Sequence, residues 1–463
     1  MTAIAVLDIG KTNVKLSVTD RQGAVLETLS TANPSLPGPP YRHHDVAGLE
    51  DWVLNGLAEL GGRHAIEAIV PCAHGSGGVL VDRDGPALPM VDYEGEIPAG
   101  IDAAYRSAAG DFRERGSSIM LGAAHIARQM LWQETCWPEA FKRATHILPL
   151  PQYWAWRLSG VPAADVTSLA AQSHLWSPAE RRPARIVDER GWTRLMPPVT
   201  PPWTALGPLR PEIAARTGLR PGTRVLCGVH DSTVNLYRYQ AAGLSDMTVV
   251  STGTWLVAIT DRPDTADKTE RSGVVWNADV EGRPLSGVLM MAGREFSAIA
   301  GKDDGEIEAV DLARVERLIA QGTMALPSFG EDDGFFPDSA GRGRIEGPTP
   351  ADARERRALA VLYTALLADV ALDHLPRASQ VVLDGSFVRE PVFAALVAAM
   401  RAEPTFTNDH YYGTATGAAL LAGHEARTEP VPIALARACP AEPAGLDAYR
   451  KAWRSRADQR RKP

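Results

Sequence analysis

Asp8-Ile9-Gly10-Lys11-Thr12-Asn13 follows the apolar run Ile4-Ala5-Val6-Leu7 and precedes the alternating stretch Val14-Lys15-Leu16-Ser17-Val18. A buried run ending in a carboxylate and a glycine, then an alternating return, predicts two strands joined by a polar turn. Such a turn can bring backbone N–H groups, the Thr12 hydroxyl and the Lys11 ammonium up to an oligophosphate, because glycine leaves no side chain in the way. Asp8, at the strand end, is placed to hold a magnesium ion through its water shell, a hard oxygen ligand for a hard cation. The same residues also describe an ordinary hairpin with a polar turn. Further along, His230-Asp231-Ser232-Thr233 opens a helical segment just after the apolar Val225 to Val229. An aspartate held there can take a proton from a substrate, or can simply N-cap the helix through its carboxylate.

Positioning these groups requires strands and helices in a definite order. Strands are expected over Ile4 to Leu7, Val14 to Thr19 and Ala24 to Leu29, with a helix over Leu49 to Leu60 and further strands at Ala65 to Val70 and Val79 to Val81. Gly122 to Gly160 reads as mostly helical around a strand at Thr145 to Leu148, and the proline- and arginine-rich Pro178 to Pro211 reads as an excursion over the surface. A second unit repeats the opening: Met247 to Val250 runs into Ser251-Thr252-Gly253-Thr254, and Trp255 to Ile259 returns. An amphipathic helix is expected over Arg354 to Leu375, a strand over Gln380 to Leu383 and a helix over Pro391 to Arg401. Strands mixed with covering helices give an α/β chain. Two similar strand–turn–strand openings imply two similar domains, with a boundary near Ala242 to Ser245 and so domains of 1–243 and 244–463.

At 463 residues with 45% apolar content the chain can fill two or three cores without covalent staples. Cys72, Cys136, Cys227 and Cys439 lie far apart, with no Cys-x-x-Cys pair or Cys/His cluster at metal spacing. That pattern speaks for a reducing cytosol and against a structural zinc site. The chain enters a strand at once and carries no apolar stretch long enough to span a bilayer, so a cytoplasmic protein with no membrane partner is expected. A net charge of −8 disfavours nucleic acid as a partner, although Arg450 to Lys462 is locally basic and reads as a solvated or frayed terminal helix.

With these pieces in order, the chain resembles the FGGY family of carbohydrate kinases, within the sugar kinase, Hsp70 and actin superfamily. The resemblance spans essentially the whole length. It rests on Asp8-x-Gly10-x-Thr12, Gly228-Val229-His230-Asp231, Ser251-Thr252-Gly253-Thr254, Asp384-Gly385-Ser386-Phe387 and Gly413-Thr414-Ala415-Thr416-Gly417-Ala418-Ala419. It implies two ribonuclease H-like (actin-like ATPase) domains facing each other across a catalytic cleft, with sugar, catalytic base and first phosphate loop on the first domain and nucleotide on the second. It further implies transfer of the γ-phosphoryl group of ATP, with Mg2+, to a hydroxyl of a small sugar. Asp231 is then the general base. Gly10, Lys11, Thr12 and Asn13 form the first phosphate loop, with Asp8 on the metal, and Ser251, Thr252, Gly253 and Thr254 form the second. Gly385 and Ser386 match a turn beside the adenine, although Asp384 and Phe387 depart from the consecutive glycines usual there. His74 falls in the segment where relatives place sugar contacts, and Asp92 and Glu94 sit where relatives have a Trp-x-Asp-x-Arg-like stretch, although the tryptophan and arginine expected there are missing; His230 is a candidate contact to the sugar or to the base, or a packed histidine beside a strand end. Gly413 to Ala419 suits close helix packing better than a nucleotide loop.

The substrate expected from the resemblance is a ketose, either a ketopentose or a 6-deoxyketohexose such as fuculose, rhamnulose or xylulose. Glycerol or another polyol is the alternative within the same chemistry. A non-catalytic sugar- or nucleotide-binding sensor of the same fold is a second reading, and an Hsp70-like ATPase clamp a third. Retention of Asp231 with both phosphate turns favours the kinase, because a sensor has no need of a base. A monomer or homodimer is expected.

Overall fold

The computed structural model describes residues 2–264, 269–301, 309–410 and 412–458. The chain divides into two compact units. Unit 1 comprises residues 1–244, 276–284 and 412–432, and unit 2 comprises 245–275, 285–411 and 433–463. The units are therefore not two contiguous halves, because two later segments return to the first one.

Unit 1 is built on a seven-stranded sheet. Its first three strands, β1 (Thr2–Ile9), β2 (Asn13–Thr19) and β3 (Val25–Ala32), pair antiparallel in sequence order. On the other side of β1, Ala65–Ala73 lies parallel to it, and both Arg224–Leu226 and Val229–His230 pair parallel to Ala65–Ala73. The strand period of two sorts the β1 side chains by face. Ala3, Ala5, Leu7 and Ile9 pack with Val53, Leu54, Leu57 and Leu60 of the helix Val46–Gly61. Ile4 and Val6 pack on the opposite face with Val234, Tyr237 and Ala241 of the helix Asp231–Ala241. Asp8 shares parity with Ile4 and Val6, so β1 delivers its carboxylate to the face that carries Asp231.

The helix Gly413–Leu421 packs on that same face, through Ala415, Ala418, Ala419 and Leu421. A Cβ at Gly417 would lie 2.1 Å from the Val234 carbonyl oxygen, so the two helices meet backbone to backbone. The small residues of Gly413 to Ala419 serve packing.

Unit 2 repeats the arrangement. Met247–Thr252 pairs antiparallel with Leu256–Thr260, which pairs antiparallel with Pro284–Met290; Met247–Thr252 is also parallel to Gln380–Gly385, itself parallel to Thr405–Asn408. Three antiparallel strands followed by parallel neighbours is the order of unit 1, as the repeated turn motif predicts.

Three expectations need correction. Pro178 to Pro211 is not a surface excursion: Ile186, Val187, Trp192 and Leu195 are buried with Ile126, Met130 and Phe141 in one cluster. The helix Ala353–Asp373 is not amphipathic along its length, since every residue from Ala358 to Leu372 is buried. A helix apolar all round belongs inside a core; its one interior charge, Asp369, is paired with Arg450 at 2.6 Å. That arginine belongs to the helix Leu446–Asp458, which also buries Tyr449 and Trp453, so the basic tail is docked rather than frayed as far as Asp458. The rest of the tail, 459–463, lies outside the described residues. All four cysteines are free, and no described helix is long and apolar enough to cross a membrane.

Candidate active site

Asp231 is the first residue of its helix, and His230 is the N-cap with φ −70° and ψ 136° and makes no side-chain capping bond. Asp231 thus does not occupy the N-cap position. Its Oδ1 accepts from the Ser232 amide at 2.5 Å and the Ser232 hydroxyl at 3.1 Å, and lies 3.2 Å from His230 Nε2. Among the described residues no donor bonds Oδ2. A carboxylate with one oxygen held by the protein and the other open is oriented to receive a proton.

His230 is buried, and burial lowers its pKa. Its Nε2 faces the Asp231 carboxylate, and its Nδ1 lies 3.1 Å from the Thr233 hydroxyl. His230 therefore touches the base. Two residues that sequence reading missed hold it there: the His230 amide donates to Thr167 Oγ1 at 3.0 Å, and that hydroxyl donates to Asp165 at 2.5 Å. Asp165 is fully buried and also accepts from the Thr167 and Ser168 amides at the start of the helix Val166–Ala170. The N-cap pattern Asp165-x-Thr167-Ser168 was the available signal for it.

Beside the base, burial and, secondarily, the Asp231 charge push the Asp8 carboxyl up to about 7, against the opposing Lys15 charge. Between about 4 and about 7 folded Asp8 keeps a proton that the unfolded chain has lost, so stability falls as pH rises through that window and levels off above it. Urea midpoints measured across this range should show a decline of ~2–4 kcal/mol from this group, and Asp8→Asn should flatten it. An unchanged slope in the variant would remove Asp8 as its cause.

A carboxylate with so raised a pKa, next to a second carboxylate, is a site that gains from a cation. No group of three or more His, Cys, Asp or Glu that could cage a metal occurs among the described residues. This donor set suits Mg2+, which keeps several waters and takes one or two carboxylates plus substrate phosphates.

The turn after Asp8 is closed by the Gly10 amide on the Asn13 carbonyl at 3.0 Å. Asn33 braces it, donating from Nδ2 to the Gly10 carbonyl at 2.8 Å and from its amide to the Thr12 carbonyl at 2.8 Å. Thr12 and Asn13 are exposed and open to a ligand. Lys11 is not a solvent-exposed turn lysine and does not point freely from the turn: its Nζ lies 2.5 Å from Asp92 Oδ1 and 3.3 Å from Ser35 Oγ. Asp92 in turn is fully buried and engaged at both oxygens, accepting also from Ser35 Oγ at 2.6 Å and the Glu94 amide at 3.0 Å, with Arg42 Nε paired to it at 2.7 Å. Burial pushes its carboxyl up, but the bonds from Lys11, Ser35 and the Glu94 amide outweigh this and bring it down to about 2. Asp92 has no oxygen left for a sugar hydroxyl, and withdrawing Lys11 from it costs about 3–5 kcal/mol. Glu94 is half-buried and reaches Asp92 through its amide.

His74 follows the strand Ala65–Ala73. Its Nδ1 bonds the Gly75 carbonyl at 2.7 Å, while Nε2 is buried without a partner. Burial lowers its pKa, and it feels the charges of Asp231, Lys11 and His230, which places it with both groups of residues. Asp8, Lys11, His74, Asp92, His230 and Asp231 are thus brought together within unit 1.

In unit 2 the strand register sets Ser251 opposite Asp384 and Thr252 opposite Gly385. Thr252 is buried, and its hydroxyl donates to the Asp384 carbonyl at 2.7 Å and accepts from the Phe387 amide at 3.1 Å. It joins two strands rather than facing a phosphate. Gly385 has φ +88°, and a Cβ there would lie 2.0 Å from the Thr252 carbonyl oxygen. Its bare backbone is required by this strand crossing before any base approaches. Ser251 is half-buried, Gly253 borders open space, and Thr254 and Ser386 are exposed, so these remain accessible.

Residues 3–237 match the model of the N-terminal domain of the FGGY family of carbohydrate kinases, and 244–430 that of the carbohydrate kinase FGGY C-terminal domain. The solved structure of a carbohydrate kinase from Novosphingobium aromaticivorans is 33% identical, with a TM-score of 0.86 over 98% of both chains. A ligand-bound xylulose kinase from Lactobacillus acidophilus shares the fold at 17% identity, with a TM-score of 0.82 over 98% of this chain and 97% of the other. The L-fuculokinase of Escherichia coli K12 is 26% identical over 271 residues, 54% of this chain. The chain spans about half the length of the curated relatives it matches, 55% for that protein. The two-domain actin-like ATPase fold expected from the sequence is that of these structures.

Proposed function

Because the chain belongs to the FGGY family of carbohydrate kinases, we propose that it transfers the γ-phosphoryl group of ATP to a hydroxyl of a small sugar, a ketose such as fuculose, rhamnulose or xylulose. The observation that carries this reading is the Asp231 carboxylate, fixed through Oδ1 and open at Oδ2 beside Asp8. The acceptor hydroxyl donates to Oδ2, its proton passes to that oxygen as the new O–P bond forms, and the bond to ADP breaks. The Ser232 amide and hydroxyl hold the other oxygen, with His230 beside it, and so fix the direction of the open one. His74 Nε2 is available to a sugar hydroxyl. Thr12, Asn13 and the amides of the first turn, with Ser251, Gly253, Thr254 and Ser386 of unit 2, serve the nucleotide. Mg2+, held through water by Asp8, would neutralise phosphate charge. The reading places the protein in the cytoplasm, as a monomer or homodimer without nucleic-acid or membrane partners.

The test is ADP release from ATP and Mg2+ against L-fuculose, L-rhamnulose, D-xylulose and glycerol. Turnover dependent on a ketose is expected. Turnover with glycerol alone would move the substrate class to polyols, and binding without turnover would favour the sensor.

A further inference from the structure

We propose that Lys11 and His44 form a recognition subsite for hydroxyl groups of the acceptor sugar, so that a lysine from the first phosphate turn serves the sugar rather than ATP. This rests on the sugar-kinase reading and assigns roles that the sequence motifs do not.

The Lys11 ammonium has three N–H groups. Asp92 and Ser35 engage it at 2.5 and 3.3 Å, and the ring centre of Tyr93 lies 5.4 Å away. Asp92 is anchored from the other side by Arg42, so the ammonium is fixed in place, and its side chain is 17% exposed. An ammonium committed to a buried carboxylate is a poor phosphate ligand and a well-oriented hydroxyl donor.

His44 lies next to this knot. It is on the strand His43–His44, in register with Ser35. Its side chain is 3% exposed, and both ring nitrogens are buried without a hydrogen-bond partner; Nε2 stands 3.9 Å from Asp92 Oδ1, beyond bonding distance. Burial, with the His74 and Lys11 charges adding to it, holds the imidazole neutral with its pKa down at about 3. A neutral imidazole presents one N–H and one lone pair. The ring centre of His74 is 6.2 Å from that of His44, and the His74 Nε2 is also without a partner. Because the Gly75 carbonyl only accepts, His74 Nδ1 carries the proton and Nε2 offers a lone pair.

The ligand that completes this set must both donate and accept over a short span. A phosphate oxygen without a proton cannot donate to His74 Nε2; vicinal hydroxyls satisfy both imidazoles at once. Leaving several buried polar atoms unmatched is costly, which makes such a site selective for a ligand that matches them.

The test compares His44→Phe and Lys11→Met with wild type in steady-state kinetics, using the same sugar panel. Because Lys11→Met strands the Asp92 carboxylate, the double variant Lys11→Met/Asp92→Leu removes the pair together, and thermal melting checks that each variant is folded. The expected result is a rise in sugar KM of about tenfold or more with the KM for ATP within about twofold of wild type. A raised ATP KM with an unchanged sugar KM would return Lys11 to the phosphates, and no change in either would leave both residues a structural role only; each overturns the proposal. If wild type binds a panel sugar by calorimetry without turning it over, the kinase reading fails and the subsite is judged by sugar Kd in the same variants. If no panel sugar binds wild type, the subsite falls with it.

Discussion

Asp231→Asn is expected to lower sugar-dependent phosphoryl transfer by about 10²–10⁴-fold, the range a positioned general base supplies, with the dissociation constant for ADP within about twofold of wild type. The substitution is close to isosteric, and its interpretation is clean because of what surrounds it. The asparagine carbonyl can still accept from the Ser232 amide and hydroxyl, which hold Oδ1 at 2.5 and 3.1 Å. What changes is the open position, where an N–H donor replaces an acceptor. The acceptor hydroxyl then has nowhere to send its proton. The paired measurement is kcat with a saturating ketose and ADP affinity by calorimetry; wild-type kcat in this variant would remove Asp231 as the base.

Gly385→Ala carries the second large effect, on a different quantity. The residue has φ +88°, and the added methyl would meet the Thr252 oxygen at 2.0 Å and the Thr252 nitrogen at 2.7 Å, both backbone atoms of the neighbouring strand. Neither can turn aside as a side chain would. The ends of Met247–Thr252 and Gln380–Gly385 must separate, breaking the bonds that Thr252 makes to the Asp384 carbonyl and the Phe387 amide. A loss of about 3 kcal/mol or more is expected in urea unfolding, with ADP affinity reduced because the Ser251 to Thr254 turn is displaced with its strand. A wild-type urea midpoint together with wild-type ADP affinity would show that the crossing tolerates a methyl group.

The contrast between these two sites illustrates what sequence can and cannot carry. The place of Asp8 at a strand end, that of Asp231 at a helix start and the two strand–turn–strand openings were legible because strand and turn patterns are local properties, fixed within a few positions of each group. The same locality explains the repeated sheet order. The ion pair between Lys11 and Asp92 joins residues 81 positions apart, and no spacing rule connects them; read locally, Lys11 belongs to the phosphates and Asp92 to the sugar. Thr252 and Gly385 look like ligand contacts in a glycine- and hydroxyl-rich turn, yet 132 positions separate Thr252 from the Asp384 carbonyl its hydroxyl bonds. His44 escaped notice because a histidine becomes informative only when its partners are found to be missing. The burial of Pro178 to Pro211 was hidden for a related reason: its apolar residues, spread among prolines and arginines, give no period, although Ile186, Val187, Trp192 and Leu195 anchor the segment.

The division of unit 1 among three stretches of chain has a consequence for biosynthesis. The helix that bears Asp231 is covered by Gly413–Leu421, with the Gly417 backbone against Val234, and that covering helix is synthesised long after the Asp231 helix itself. Until then, a nascent chain exposes Val234, Tyr237 and Ala241 along with the Ile4 and Val6 face of the sheet. The proton acceptor thus rests on a surface that stays uncovered until the last stretch of unit 1 has been made, and the base reaches its final packing only then.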